Sequence, residues 1–297
     1  MRKKLFKITL SFIIALTCSL SLGHATIKIG VNAHRGADYV KERWTDLARH
    51  LSQELGQPVK ILPLRVASLL SDVKRKQVDF VFSNPVQAVV LNAYLRTIPM
   101  VTLRTNAGSQ FAGVIVAKKD SGITQSKDLI GKKVVSMRFK VAAGGYIFQT
   151  YHLLQKGIDP HKDFASIKQL RSQDKLVRAV DRGLADAAFV RSGLLEKMAK
   201  SGKIKMDDFV VVDRRDPNNQ VPFVHTTQAY PEWYISAMPQ TDEAIVKRLT
   251  SALLSLPANS QAAQVAKIKG FVKPIPLDNL KAALQTLRVP PYTRTAR

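Results

Sequence analysis

The chain has 297 residues, with 46 lysines and arginines against 22 acidic residues, a formal net charge of +24. Its 45% hydrophobic content supplies a core and excludes a collagen, a coiled coil or a wholly disordered chain. One cysteine excludes a disulfide scaffold and a multi-cysteine zinc site.

The first 25 residues read as a secretory signal peptide. Arg2, Lys3, Lys4 and Lys7 form a basic start, an uncharged and mostly apolar run follows from Ile8 to Gly23, and Gly23-His24-Ala25 offers small residues for cleavage after Ala25. Translocation needs these three features in this order. The apolar run is short for a membrane span, which takes about 20 residues. Ala15-Leu16-Thr17 is a poor lipidation context for Cys18. Cleavage removes the only cysteine, so the mature chain is expected beyond the inner membrane without thiol chemistry.

The next segments alternate strand and helix patterns. Thr26–Ala33 alternates as a strand, and Asp38–Leu55 carries Trp44, Leu47, Leu51 and Leu55 at helical spacing with Gly56 as its stop. Pro58–Leu62 is a strand, Val66–Lys76 a helix and Val78–Phe82 a buried strand. Asn84 suits the cap and Pro85 the first turn of the helix that follows. Ile98–Leu103 is a fourth strand. A second series begins at Phe111–Ala117 and continues through strands at Lys133–Met137, Ser166–Leu170, Ala185–Val190 and Phe209–Val212. Helices are expected at Ser126–Leu129, Tyr146–Lys156, Gln173–Arg182 and Ser192–Lys200. Thr226-Thr227 and Trp233–Ala237 read as strand material, and Asp242–Ser255 and Gln261–Lys267 as helices. Pro257, Pro274, Pro276, Pro290 and Pro291 are expected to break the end into short pieces.

Alternating β and α segments imply two mainly parallel sheets flanked by helices, about 100 residues each. Ligands of such sheets bind beyond the carboxyl ends of the strands, where helix N-termini point. The residues there are Arg35, Ser83, Asn84, Ser109, Gln110, Arg138, Gly144, Gly145, Tyr146 and Arg191. Arginine, serine, asparagine and glycine at helix starts suit an anion. Taken singly, Asn84 caps a helix and Gly144-Gly145 turns the chain. Taken together, these loops carry no carboxylate. Two acid-free windows, Asp79 to Asp120 and Asp128 to Asp159, hold three of the five loops. Such a cleft would focus positive potential on an anionic ligand.

At IKIGV (Ile27–Val31), VDFVFSNPVQAVV (Val78–Val90), GVIVAKKDSGITQSKDLIGKKVV (Gly113–Val135) and ADAAFVRSGLLE (Ala185–Glu196) the chain resembles the phosphate/phosphite/phosphonate-type periplasmic substrate-binding proteins of ABC transporters. GIDP (Gly157–Pro160), YPEWYISAMP (Tyr230–Pro239) and LRVPPY (Leu287–Tyr292) resemble the branch that forms the input domain of tetrathionate-type sensor histidine kinases. The resemblance implies an α/β, two-lobed type II periplasmic-binding fold joined by two crossover strands. These are expected near Thr105–Phe111 and Pro222–Thr227, with lobe 1 at 26–108 plus 226–297 and lobe 2 at 109–225. The clustered hydroxyl residues of phosphonate binders are replaced by Ser136-Met137-Arg138-Phe139-Lys140.

The function this implies is periplasmic capture of a small anion for an ABC permease. The alternative is a periplasmic protein that reports its ligand to a membrane sensor kinase. No cofactor or metal is expected. An enzyme is disfavoured because His34, His50, His152, His161 and His225 lie in no nucleophile–base or metal-ligand motif. Nucleic acid is an unexpected partner for an exported chain. Anionic lipid headgroups and periplasmic polyanions are favoured as contacts of the surface charge.

Overall fold

The computed structural model describes residues 25–293, so the basic start and apolar run read as a signal peptide lie outside the described residues. The first sheet grows from β1 (Ile27–Asn32), which pairs in parallel with β2 (Val59–Leu64) and β3 (Phe80–Ser83). Between them run α1 (Ala37–Leu55) and α2 (Leu69–Lys76). On α1, Val40, Trp44, Leu47, Leu51 and Leu55 are buried against the sheet, and Gly56 closes the helix in the left-handed conformation. Asn84 accepts a 3.0 Å hydrogen bond from the Gln87 N–H at the start of α3 (Pro85–Leu95), the cap its sequence suggests. β4 (Ile98–Arg104) follows.

The chain then crosses through β5 (Gln110–Phe111) into β6 (Gly113–Lys118), β7 (Lys133–Ser136), β8 (Ser166–Gln169), β9 (Ala187–Arg191) and β10 (Phe209–Val211). α4 (Phe148–Leu154), α5 (Gln173–Asp181) and α6 (Leu194–Lys200) cover this second sheet. The return runs through β11 (Tyr230–Pro231) and β12 (Tyr234–Ala237) to α7 (Glu243–Leu254), α8 (Gln261–Ala266), β13 (Gly270–Val272) and α9 (Asp278–Thr286). Strand order is β13-β4-β12-β3-β1-β2 in the first sheet and β10-β6-β9-β7-β8 in the second.

Both sheets are mixed rather than mainly parallel. Of the strands read from βα alternation, β1 to β4 run in one direction in the first sheet and β7 to β10 in the second. In the first, β12 is inserted antiparallel between β3 and β4, and β13 adds antiparallel to β4. In the second, β6 runs antiparallel to β9 and β10. Two of these, β6 and β12, are the strands that arrive from the other sheet, so the crossings themselves set the mixed character.

The two crossings pair as a ribbon, with Tyr230 opposite Phe111 and Pro231 opposite Gln110. Thr226 and Thr227 form no strand. Their hydroxyls accept the Ile115 and Gly113 N–H groups of β6, each at 2.9 Å, so this segment lies along the second sheet. The helix expected at Tyr146–Lys156 opens instead with a wide turn over Ala143–Ile147 before α4.

The proline-rich end contains α9, whose Leu280 and Leu284 are buried. They join a cluster with Val86 and Val89 of α3, Phe148 of α4, Phe111 and Tyr230. The Phe148 and Tyr230 rings stack with centroids 3.9 Å apart. Aromatic packing thus fills the space behind the ribbon and ties it to both sheets. Among the described residues, no helix is long and apolar enough to cross a membrane.

Candidate functional site

The carboxyl ends of β1 and β3 release the chain at Asn32 to Arg35 and at Ser83-Asn84. In the second sheet β7 ends at Ser136 and β9 at Arg191. Tyr39 and Arg43 follow at four-residue spacing on one side of the start of α1, and Arg35, just before the helix, folds onto Tyr39. The Arg35 guanidinium lies 4.3 Å from the Tyr39 ring centroid and donates to its hydroxyl at 3.2 Å. Arg43 donates to the same hydroxyl. Burial opposes ionisation of Tyr39, but the two guanidiniums outweigh it and lower the phenol pKa.

The His34 ring packs on Trp233, with centroids 5.0 Å apart. It remains accessible along the cleft. Loss of bulk water around it is the main cause that lowers its pKa to about 4, helped by like charge on Arg35, Arg43 and Arg191. Arg191 belongs to the second sheet and the other two arginines to the first. Three guanidiniums from two sheets therefore bear on one neutral imidazole.

Arg191 is held from three sides. Its Nη2 meets Glu232 Oε1 at 2.7 Å, its guanidinium lies 4.4 Å from the Phe111 ring centroid, and its backbone N–H donates to Gln173 Oε1 at 2.9 Å. Glu232 sits between β11 and β12 and is only 1% exposed. It corrects the expectation that carboxylates are absent from the candidate site. In the sequence Glu232 lies within YPEWYISAMP, away from any expected strand carboxyl end. A lone acid among apolar and aromatic residues was the available signal.

The expected residues divide. Arg35 lies with Arg43 on Tyr39 at the start of α1, and Arg191 pairs with Glu232 at the end of β9. Ser83 is fully buried at the end of β3, and its hydroxyl has no partner. The Asn84 side chain is occupied in capping. Ser109 accepts the Glu232 N–H through its carbonyl at 2.9 Å, and Gln110 forms β5, so both belong to the crossing. Arg138 is exposed on the loop after β7. Gly144 and Gly145 are buried, and a Cβ on either would come within 2.7 Å of Phe111 or Met137 respectively, so close packing requires them. Tyr146 is buried with its hydroxyl 2.7 Å from His161 Nε2, in a separate cluster with Phe139. Asn32, His34, Tyr39, Arg43, Trp233 and Glu232 lay outside the expected set. Among the described residues no group of three or more His, Cys, Asp or Glu is placed to hold a metal.

The family model described as ABC transporter, phosphonate, periplasmic substrate-binding protein matches residues 29–279. The tetrathionate sensor histidine kinase TtrS of Salmonella typhimurium is 34% identical over 239 residues, which are 78% of this chain and 40% of that protein. This chain thus corresponds to less than half of that relative's length. A Xanthomonas citri protein solved bound to ATP superposes with a TM-score of 0.72 at 20% identity, covering 89% of this chain and 98% of the other. PhnD1 from Prochlorococcus marinus in complex with methylphosphonate gives 0.70 at 18% identity, with the same coverage. At these identities the two structures establish the fold, a type II periplasmic-binding fold. With the family model matched from the first strand into α9, the chain belongs to the phosphonate-type periplasmic substrate-binding proteins of ABC transporters.

Proposed function

We propose that the protein is exported to the periplasm and captures a small oxyanion between its two sheets. The placement of Arg35 and Arg43 around Tyr39 just beyond β1, and of Arg191 at the end of β9 in the other sheet, carries this reading. Guanidiniums from both sheets supply fork-shaped donors to one anion, and among the described residues Arg191 alone of the three has a carboxylate partner. Binding would draw the sheets together about the β5–β11 ribbon, because an anion between them contacts both only when they approach. The captured anion is then delivered to an ABC permease. The basic start at Arg2 to Lys7 supports export.

A second reading has the protein report its ligand to a membrane sensor kinase. Its support is the 34% identity to a protein named as a tetrathionate sensor kinase. That name also brings sulfur oxyanions into the ligand class, beside the methylphosphonate of the structural neighbour.

A thermal-shift panel of tetrathionate, thiosulfate, sulfate, phosphate and methylphosphonate tests the capture reading. At least one anion should raise the melting temperature of the mature protein at millimolar concentration, and Arg43→Ala should reduce the shift. If none does, the capture reading fails.

A further inference from the structure

Arg35 and Arg43 meet on one atom. Arg35 donates from Nη1 to the Tyr39 hydroxyl oxygen at 3.2 Å, and Arg43 donates from its own Nη1 to the same oxygen. Both acceptor positions of a phenol oxygen are then filled. The two Nη1 atoms lie no more than about 6 Å apart, the sum of two hydrogen-bond lengths. Among the described residues this oxygen is the one hydrogen-bond partner of either guanidinium, and neither has a carboxylate partner. Asp38 and Asp46 of the same helix pair with Lys41 and Arg49 instead.

Tyr39 is itself held in place. Its ring stands edge-on to His34 at 6.3 Å between centroids, and His34 packs on Trp233 at 5.0 Å. Arg35 lies 4.3 Å from the centroid of the Tyr39 ring, and Arg43 lies 5.0 Å from that of the buried Trp44. Two like charges are thus gathered on a neutral oxygen where repulsion alone would spread them apart. The other groups nearby add little to the count. Arg191 is offset by Glu232, and His34 is uncharged at neutral pH.

We infer that Tyr39 is the positioning residue that sets the charge of the ligand. By tying two guanidiniums to one neutral oxygen, it presents a pair of positive charges that a doubly charged anion neutralises and a singly charged anion leaves half unmatched. This rests on the capture reading above and deepens it. Each guanidinium spends Nη1 on the hydroxyl, which leaves its Nη2 for the ligand. Without the hydroxyl Arg35 has no hydrogen bond to hold it beside Arg43, and the doubled charge disperses.

Calorimetric titration of the mature protein at about pH 7 and fixed ionic strength tests this. The panel of anions named above is extended by methanesulfonate, a tetrahedral anion of nearly the shape of sulfate with one charge in place of two. The tightest-binding dianion should bind at least about tenfold more tightly than methanesulfonate. Tyr39→Phe should reduce that ratio to about threefold or less, with the melting temperature of the unliganded protein unchanged. Arg43→Gln, which removes one of the paired charges, should reduce it equally. A merely structural role for Tyr39 would weaken both anions alike and leave the ratio where it was. Methanesulfonate binding as tightly as every dianion, or a wild-type ratio in Tyr39→Phe, overturns this role of Tyr39 and leaves anion capture standing. If no anion of the extended panel binds the wild type, both readings fall.

Discussion

Arg191 at the end of β9 and Glu232 at the start of the return into the first sheet meet at 2.7 Å. The pair is unequal: the Arg191 side chain is 36% exposed and Glu232 is 1% exposed. Removing the arginine strands a buried carboxylate, whereas neutralising the acid leaves a guanidinium that still reaches water. Arg191→Ala should therefore cost about 3 kcal/mol and Glu232→Gln about 1 kcal/mol, measured by urea denaturation. Equal losses would rule out burial of Glu232 as the reason.

His34 should make stability depend on pH. Its folded pKa of about 4 lies below its ordinary value, so the unfolded chain binds the extra proton first. Its contribution is fully present above its ordinary pKa of 6.5 and is lost as pH falls from there toward about 4. His34→Asn should flatten the curve of melting temperature against pH in that window. Binding of an anion should also flatten the wild-type curve, because it screens the three guanidiniums. An unchanged slope in the variant would assign the dependence to other groups, such as His152, whose pKa burial also lowers.

A second network lies inside the second lobe. Asp213 accepts from the Ser126 N–H at 3.0 Å, from His152 Nε2 at 2.7 Å and from Lys156 at 3.3 Å, as well as from the Ser126 hydroxyl. Burial works to raise its pKa, but these donors prevail and hold it at about 2. Its φ of 48° is left-handed, which asparagine also tolerates. Asp213→Asn should therefore isolate the loss of charge from backbone strain and cost about 2 kcal/mol in chemical denaturation. The cost should shrink toward about pH 2, where the wild-type carboxyl is itself protonated.

Gly144 and Gly145 offer a paired comparison. A Cβ at Gly144 meets the buried Phe111 ring at 2.7 Å and the Arg191 Cβ at 3.2 Å, while at Gly145 it meets Met137 Cγ at 2.7 Å and Cβ at 3.0 Å. Gly144→Ala should cost about 2 kcal/mol, shift Arg191 and weaken anion binding. Gly145→Ala should also cost about 2 kcal/mol but leave anion binding intact, because its clash does not reach Arg191. Weaker anion binding in Gly145→Ala than in Gly144→Ala would contradict this packing account.

Much of the frame could be read from the chain because its signals were local. β1, α1, β3 and the Asn84–Pro85 start of α3 each declare themselves through alternation, helical spacing or a cap. What escaped was set by distant pairing. β12 slots between β3 and β4 from more than 130 residues away, as the register of Ile235 with Phe82 and Val101 shows. Glu232 rides on that insertion, so the acid of the cleft was invisible to a search of strand carboxyl ends. The prolines near the end obscured α9, although Leu280 and Leu284 carry the i, i+4 spacing of a buried helical face. Ser83 was placed correctly at a strand end, but only the structure reveals that its hydroxyl lacks a partner.

α9 packs against α3 on one side of the ribbon and α4 on the other. A close-packed interior does not stretch, so a change in angle between the sheets must be taken up as sliding across Leu280 and Leu284. The back of the molecule is thereby geared to its mouth: if the proposed capture closes the sheets on an ion, it also turns a helix that the ion never touches.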